Sequence, residues 1–137
     1  MVSSDVGMRA VDTNVLVRLF VNDEPAQAAS ARRIASDDSI FVPKTVIVEF
    51  EWVLRGVYGQ PRAAIASAIE ALLQTANVEI EDGTAVGRAV GWFRRGMDFA
   101  DALHLASSSH ADAFLTFDVP MRRKASALGV KPPVTAP

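Results

Sequence analysis

The chain has 137 residues, the size of one ordinary domain, and half of them are hydrophobic against 22% charged. That is enough apolar material for a core and argues against intrinsic disorder. A formal net charge of −2 disfavours a polybasic nucleic-acid tail or a basic membrane-surface protein, while local basic patches stay open. The sequence holds no cysteine, which excludes disulfide scaffolds, zinc ribbons, iron–sulfur clusters and thiol catalysis together. Two histidines, His104 and His110, do not build a typical zinc site, so a metal bound here would have oxygen ligands. No apolar run approaches the roughly 20 residues of a membrane span. The opening MVSSDVG lacks the basic start and apolar centre of a signal peptide, so a cytoplasmic setting without a membrane is expected. Residues 1–7 are read as an upstream start or an extension, and 8–134 as one domain.

Taken in order, 8–11 reads as a short strand ending at Asp12, and 15–21 as a helix behind the cap-type residues Thr13 and Asn14. An Ala-rich helix follows at 26–35, then a β-branched strand at 40–42 stopped by Pro43. The spacing of Val46, Phe50, Val53, Leu54 and Val57 predicts a helix over 45–58 with those residues inward. A helix at 62–75, with Ile65, Ile69, Leu72 and Leu73 inward, is followed by a strand at 78–80 and a helix at 83–95 carrying Val86, Val90 and Phe93. A helix over 98–110, a strand over 113–117 ending at Asp118, a helix over 120–128 and an extended piece at 129–134 complete the chain. Strands alternating with helices predict an α/β domain with a mainly parallel sheet. Ligands of such folds gather at the carboxyl ends of the strands, where Asp12 and Asp118 fall.

Five acids stand out: Asp12, Glu49, Asp98, Asp101 and Asp118. Each also has a purely structural explanation. Asp12 can cap the first helix, Asp98 can cap the helix that carries Asp101 at its third position, and Asp118 can be a turn residue before Pro120. Glu49 is weighed against Glu51 by helix phase. With Glu49 at zero, Val53, Val46, Val57, Phe50 and Leu54 fall between about 40° and 140°, and Glu51 at about 200°. Glu49 is thus expected at the edge of the buried face. Glu51 is expected on the solvent face, paired with Arg55 four residues on. Carboxylates brought together repel unless a cation neutralises them. Mg²⁺ and Mn²⁺ sites of this kind commonly serve phosphate chemistry.

Other chemistries find no support. Phosphate loops and the G-x-S-x-G elbow are absent. Ser107–Ser109 beside His110 do not face one another on a helix. His104, one turn after Asp101, could orient it or meet a phosphate, and His110 is read as a packing residue. The basic runs Arg94-Arg95 and Arg122-Arg123-Lys124 flank acid-bearing motifs and are candidates for a nucleic-acid backbone.

The stretches VDTNVLVRLF, VIVEFEWVLRGVYG, MDFADALHLASS and AFLTFD resemble, in order and spacing, the PIN-domain nucleases, specifically the VapC-like toxin ribonucleases of toxin–antitoxin pairs. The resemblance runs from Met8 to Leu128. It implies a three-layer PIN fold, Mg²⁺- or Mn²⁺-dependent endoribonuclease activity leaving 5′-phosphate and 3′-hydroxyl ends, a VapB-like antitoxin partner and a homodimer. It implies that Asp12, Glu49 and Asp101 are the principal catalytic and metal-binding acids and Asp118 the fourth. Thr13, Asn14, Asp98 and Thr116 would support them, and Arg94, Arg95, Arg122 and Arg123 would contact RNA. The competing reading is a catalytically silent PIN-like interaction module whose acids are caps and salt bridges. A phospho-acceptor receiver domain would need paired acids near the first strand and a lone acid after the third, and neither is present.

Overall fold

Residues 7–37 and 39–137 are described in a computed structural model of the chain. The expectation for 1–7 therefore lies, apart from Gly7, outside the described residues. The chain divides into two compact units, one ending at Gly83 and the other running Thr84–Pro137.

In the first unit, β1 (Met8–Ala10), β2 (Ser39–Val42) and β3 (Val78–Ile80) form a parallel sheet in that order. Ile40 pairs with Arg9 on one side and Val78 on the other. As the middle strand, β2 carries the apolar side chains of this run inward, with Ile40 and Val42 buried. Parallel neighbours need long crossovers. These are α1 (Thr13–Phe20) with α2 (Pro25–Asp37), and α3 (Lys44–Gly56) with α4 (Arg62–Gln74). Pro43 and Pro61 precede α3 and α4 without side-chain caps. In α4, Ile65, Ile69 and Leu72 are buried as expected.

The second unit holds α5 (Gly83–Arg94, starting at the junction), α6 (Phe99–Ala106), β4 (Phe114–Leu115), α7 (Val119–Leu128) and β5 (Val134–Thr135). Here β4 and β5 are parallel, with Phe114 opposite Val134. Val86, Val90 and Phe93 of α5 are buried, and Phe93 meets Phe99 edge-on at 5.5 Å between ring centroids. Asp118 caps α7 and Gly129 ends it at φ 66°, a left-handed conformation that favours glycine. Every described strand pairing is parallel, as the alternation of elements predicted, and the chain is an α/β protein.

Several boundaries differ from expectation. The helix foreseen over 98–110 ends at Ala106, where Ser107 caps it and Ser108 Oγ donates to the His104 carbonyl at 2.8 Å. Serines that bond the backbone locally compete with helix continuation. His110 consequently lies in a turn and is exposed, not packed. β4 is shorter than 113–117, and the final strand falls at Val134–Thr135, overlapping only the last residue of the extended piece expected over 129–134.

The largest correction concerns the phase of α3. Its buried residues are Ile47, Phe50, Glu51 and Leu54, an arc turned roughly 60° from the expected one on a 100°-per-residue wheel. Val57 falls in the turn beyond the helix and is 61% exposed. Glu51, expected on the solvent face, is 4% exposed, and Glu49, expected at the buried edge, is exposed. Burial of Glu51 is tolerated because the expected i, i+4 pair does form. Arg55 Nε donates to Oε2 at 2.6 Å and Arg55 Nη2 to Oε1 at 3.4 Å.

Candidate active site

Three of the sequence-selected acids are helix caps. Asp12 Oδ1 accepts from the Val15 N–H at 3.2 Å, Asp98 Oδ2 from the Asp101 N–H at 3.1 Å, and Asp118 Oδ1 from the Met121 N–H at 3.0 Å. Each satisfies one of the orphan donors at a helix start. A cap engages one carboxylate oxygen, so capping and a second role are compatible. Glu49 and Asp101 cap nothing: one lies mid-helix in α3 and the other in the first turn of α6.

In the first unit, Thr13 Oγ1 donates to Glu49 Oε1 at 2.6 Å, across 36 residues of sequence. The residue after the first acid thus fixes the orientation of the second. Asp12, at the carboxyl end of β1, lines an open cleft of about 420 Å³ with Arg9, Val11, Val15 and Ile34. Asn14 is held from both ends of its amide: Arg18 Nη2 donates to Oδ1 at 3.3 Å and Nδ2 donates to Gln27 Oε1 at 3.4 Å. Arg18 also donates to Tyr58 OH at 3.2 Å and to Asp23, which accepts from Tyr58 OH as well. The Tyr58 hydroxyl, and after it Asp23, raise the Arg18 guanidinium above its ordinary value despite opposing desolvation. This Arg18–Tyr58–Asp23 network gave no signal in the sequence, because Tyr58 lies 40 residues from Arg18 and 35 from Asp23.

In the second unit, Asp98, Asp101 and Asp118 form one electrostatic group. Partial burial, then the charge of Asp98, then that of Asp118 push the Asp101 carboxyl above the usual carboxylate range, with His104 pulling modestly the other way. His104 lies exposed on α6, its ring stacked on Phe114 at 6.4 Å and 14°. Thr116 Oγ1 accepts from the Asp118 N–H at 3.0 Å, so the hydroxyl before the fourth acid shapes the turn that carries it. Arg122, a candidate RNA contact, spends one donor internally: its Nη1 reaches the Thr116 carbonyl at 2.8 Å and ties α7 to the end of β4. Arg94, Arg95 and Arg123 are exposed.

Within their own units the structure brings Thr13 into hydrogen-bond contact with Glu49 and sets Asp98 and Asp118 each near enough to Asp101 for their charge to be felt there. Among the described residues, no group of three or more His, Asp or Glu side chains stands close enough to hold a metal ion. The donor chemistry nonetheless suits a hard cation, because a partly buried carboxylate flanked by two others carries negative charge that a divalent ion would offset. Among the described residues no helix is long and apolar enough to cross a membrane.

Phe117 was passed over in the sequence. It lies between Thr116 and Asp118 and is 84% exposed. The available signal was the apolar residue at every second position, Leu115, Phe117 and Val119, where the strand runs out.

No curated protein matches the chain. The model of the PIN domain family matches residues 9–127, from β1 to the last turn of α7, and the chain belongs to the PIN domain family.

Proposed function

We propose that this protein is a divalent-metal-dependent endoribonuclease, acting as the toxin of a VapBC-type toxin–antitoxin pair. PIN domains are typically nucleases and generally use divalent metal ions. The observation that carries the reading is the family match over residues 9–127, which takes in all four acid-bearing motif stretches. Asp101 has no capping or pairing role to explain a carboxylate held at an electrostatic disadvantage, and such groups concentrate at functional sites. The motif resemblance assigns Asp12, Glu49, Asp101 and Asp118 to the reaction. When bound, Mg²⁺ or Mn²⁺ would polarise the phosphoryl oxygen and lower the pKa of an attacking water. Thr13 keeps Glu49 in one orientation, and Thr116 and the cap to Met121 do the same for Asp118. The toxin role, a VapB-like antitoxin and a homodimer rest on the motif resemblance.

The test is cleavage of RNA by the purified chain with Mn²⁺ and with a chelator. Wild type should cleave only with metal, leaving 5′-phosphate ends, while Asp101→Asn and Asp12→Asn should be inactive but folded. Cleavage that survives chelation, or survives Asp101→Asn, would refute the reading. The toxin role is tested separately: expression should arrest growth, and co-expression of a short neighbouring reading frame should relieve the arrest.

A second reading, a silent interaction module, draws support from the three caps, which explain Asp12, Asp98 and Asp118 without chemistry. It accounts for Glu49 as the acceptor of the Thr13 hydroxyl and leaves Asp101 unexplained. Under it, Asp101→Asn would change nothing but stability.

A further inference from the structure

The second unit holds an open cleft of about 390 Å³ that none of the acids lines. Its walls are Arg88 and Trp92 of α5, Ser109 in the turn after α6, and Gly129, Val130 and Lys131 beyond α7. Arg88 and Trp92 are four residues apart, hence neighbours on one face of the helix. That face is turned away from Val86, Val90 and Phe93, which are buried. Arg88, Ser109 and Lys131 are exposed and Trp92 is half-buried. Among the described residues, no ion pair or hydrogen bond engages the side chains of Arg88, Trp92, Ser109 or Lys131. The far wall is fixed: Val130 is buried, and its N–H donates to the Ala125 carbonyl at 3.2 Å, which holds the segment bearing Lys131 to the end of α7. Two uncompensated cations, one indole and one free hydroxyl therefore share a single concave surface.

We propose that this cleft binds a free nucleoside monophosphate, with the base against Trp92 and the phosphate between Arg88 and Lys131. Charge selects the anion. A phosphate monoester carries about −1.5 to −2 at neutral pH and so matches two cations. A carboxylate, or a phosphodiester inside a nucleic-acid chain, carries a single charge and would leave one cation unmatched. The Arg88 guanidinium offers a planar fork suited to two phosphate oxygens, and the Lys131 ammonium adds a point charge. The indole of Trp92 supplies a flat apolar surface for a heterocycle. Ser109 can donate to a phosphate oxygen or exchange hydrogen bonds with a ribose hydroxyl. A volume of about 390 Å³ lies near the lower end of small-molecule sites, which run from about 300 to 1,000 Å³, and suits one nucleotide rather than a length of chain. The 5′-phosphorylated end of an RNA presents the same groups, so the experiment includes it as a separate arm. The inference does not rest on the nuclease reading, and its readout is binding.

The experiment is calorimetric titration of the full chain with AMP in the presence of a chelator, with adenosine, inorganic phosphate and a 5′-phosphorylated RNA oligonucleotide as parallel arms. Wild type should bind one AMP per chain and saturate below about 1 mM. Adenosine and inorganic phosphate should each bind about tenfold or more weakly, since each lacks one half of the contacts. Arg88→Ala and Lys131→Ala should weaken AMP about 10- to 150-fold, the range for losing hydrogen bonds to a charged group. Both residues are exposed, so these variants should keep the wild-type Tm. Trp92→Leu should weaken AMP about 5- to 150-fold, the range for losing one base–aromatic stack, and Trp92→Phe should restore most of the binding. The proposal is overturned if AMP does not saturate below about 1 mM, or if Arg88→Ala and Lys131→Ala bind it as wild type does. It is also overturned if inorganic phosphate binds as tightly as AMP, which would leave an adventitious ion only. Tighter, Arg88-dependent binding of the phosphorylated RNA than of AMP overturns the free nucleotide as occupant. Failure of wild type to cleave RNA refutes the nuclease reading and leaves these binding outcomes to decide the cleft by themselves.

Discussion

Glu51 and Arg55 offer a measurement of what the reversal of helix phase means. The Glu51 side chain is 5% exposed and that of Arg55 51%, so the carboxylate is inside and the guanidinium half in water. An exposed i, i+4 pair is worth about 0.3–0.5 kcal/mol. Removing one partner of a fully buried pair costs about 3–5 kcal/mol, because a charge is left uncompensated. With one partner buried and the other half-solvated, Arg55→Met should fall between, at about 2 kcal/mol. For a chain of this length, that corresponds to a drop of about 7 °C in Tm. Adding Glu51→Leu should recover most of the loss, since replacing both members of a buried pair by apolar groups is close to neutral. Urea unfolding followed by circular dichroism measures all three variants. A loss under about 0.5 kcal/mol for Arg55→Met would place Glu51 on the solvent face. A double variant worse than the single one would show that the carboxylate is not the source of the cost.

Asp101→Asn should be stabilising at neutral pH, because the raised folded-state pKa means that the charged form is disfavoured in the fold. Relative to Asn, wild type should fall behind as pH rises from the unfolded-state Asp range through the raised pKa, and the two should match in stability at low pH. Thermal unfolding across that range checks the sign, and equal curves at all pH values would refute it. Mn²⁺ should raise the Tm of wild type and do so much less for Asp101→Asn, since a ligand of the native state stabilises by mass action. Glu49→Gln should abolish cleavage with little change in stability, as Glu49 is exposed. Thr13→Val, which removes the 2.6 Å donor to Glu49, should lower kcat about tenfold, the lower end for loss of an orienting hydrogen bond. Gly129→Ala should cost about 1 kcal/mol in urea unfolding, purely from backbone conformation: φ is 66° and an added Cβ would meet nothing within 4 Å.

Much of the architecture follows from local chemistry written in the sequence. Cap residues at Asp12, Asp98 and Asp118, prolines at 43 and 61 and glycine at 129 set helix ends through bonds made within a few residues. The alternation of β-branched runs with helical spacing was enough for a parallel α/β chain, and the motif stretches for the PIN family. The tertiary structure decided what depends on neighbours distant in sequence. Which face of α3 is buried was set by the elements packed on it, and apolar periodicity misjudged it because several valines there are partly or fully exposed while a paired carboxylate is buried. The bond from Thr13 to Glu49 and the Arg18–Tyr58–Asp23 network join residues more than 30 positions apart, beyond the reach of any local pattern. The elevated Asp101 carboxyl likewise arises from burial and from Asp118, which lies 17 positions on in sequence and is brought near only by folding. Capping and periodicity are short-range and readable from residue order, whereas burial and electrostatic coupling belong to the packed chain.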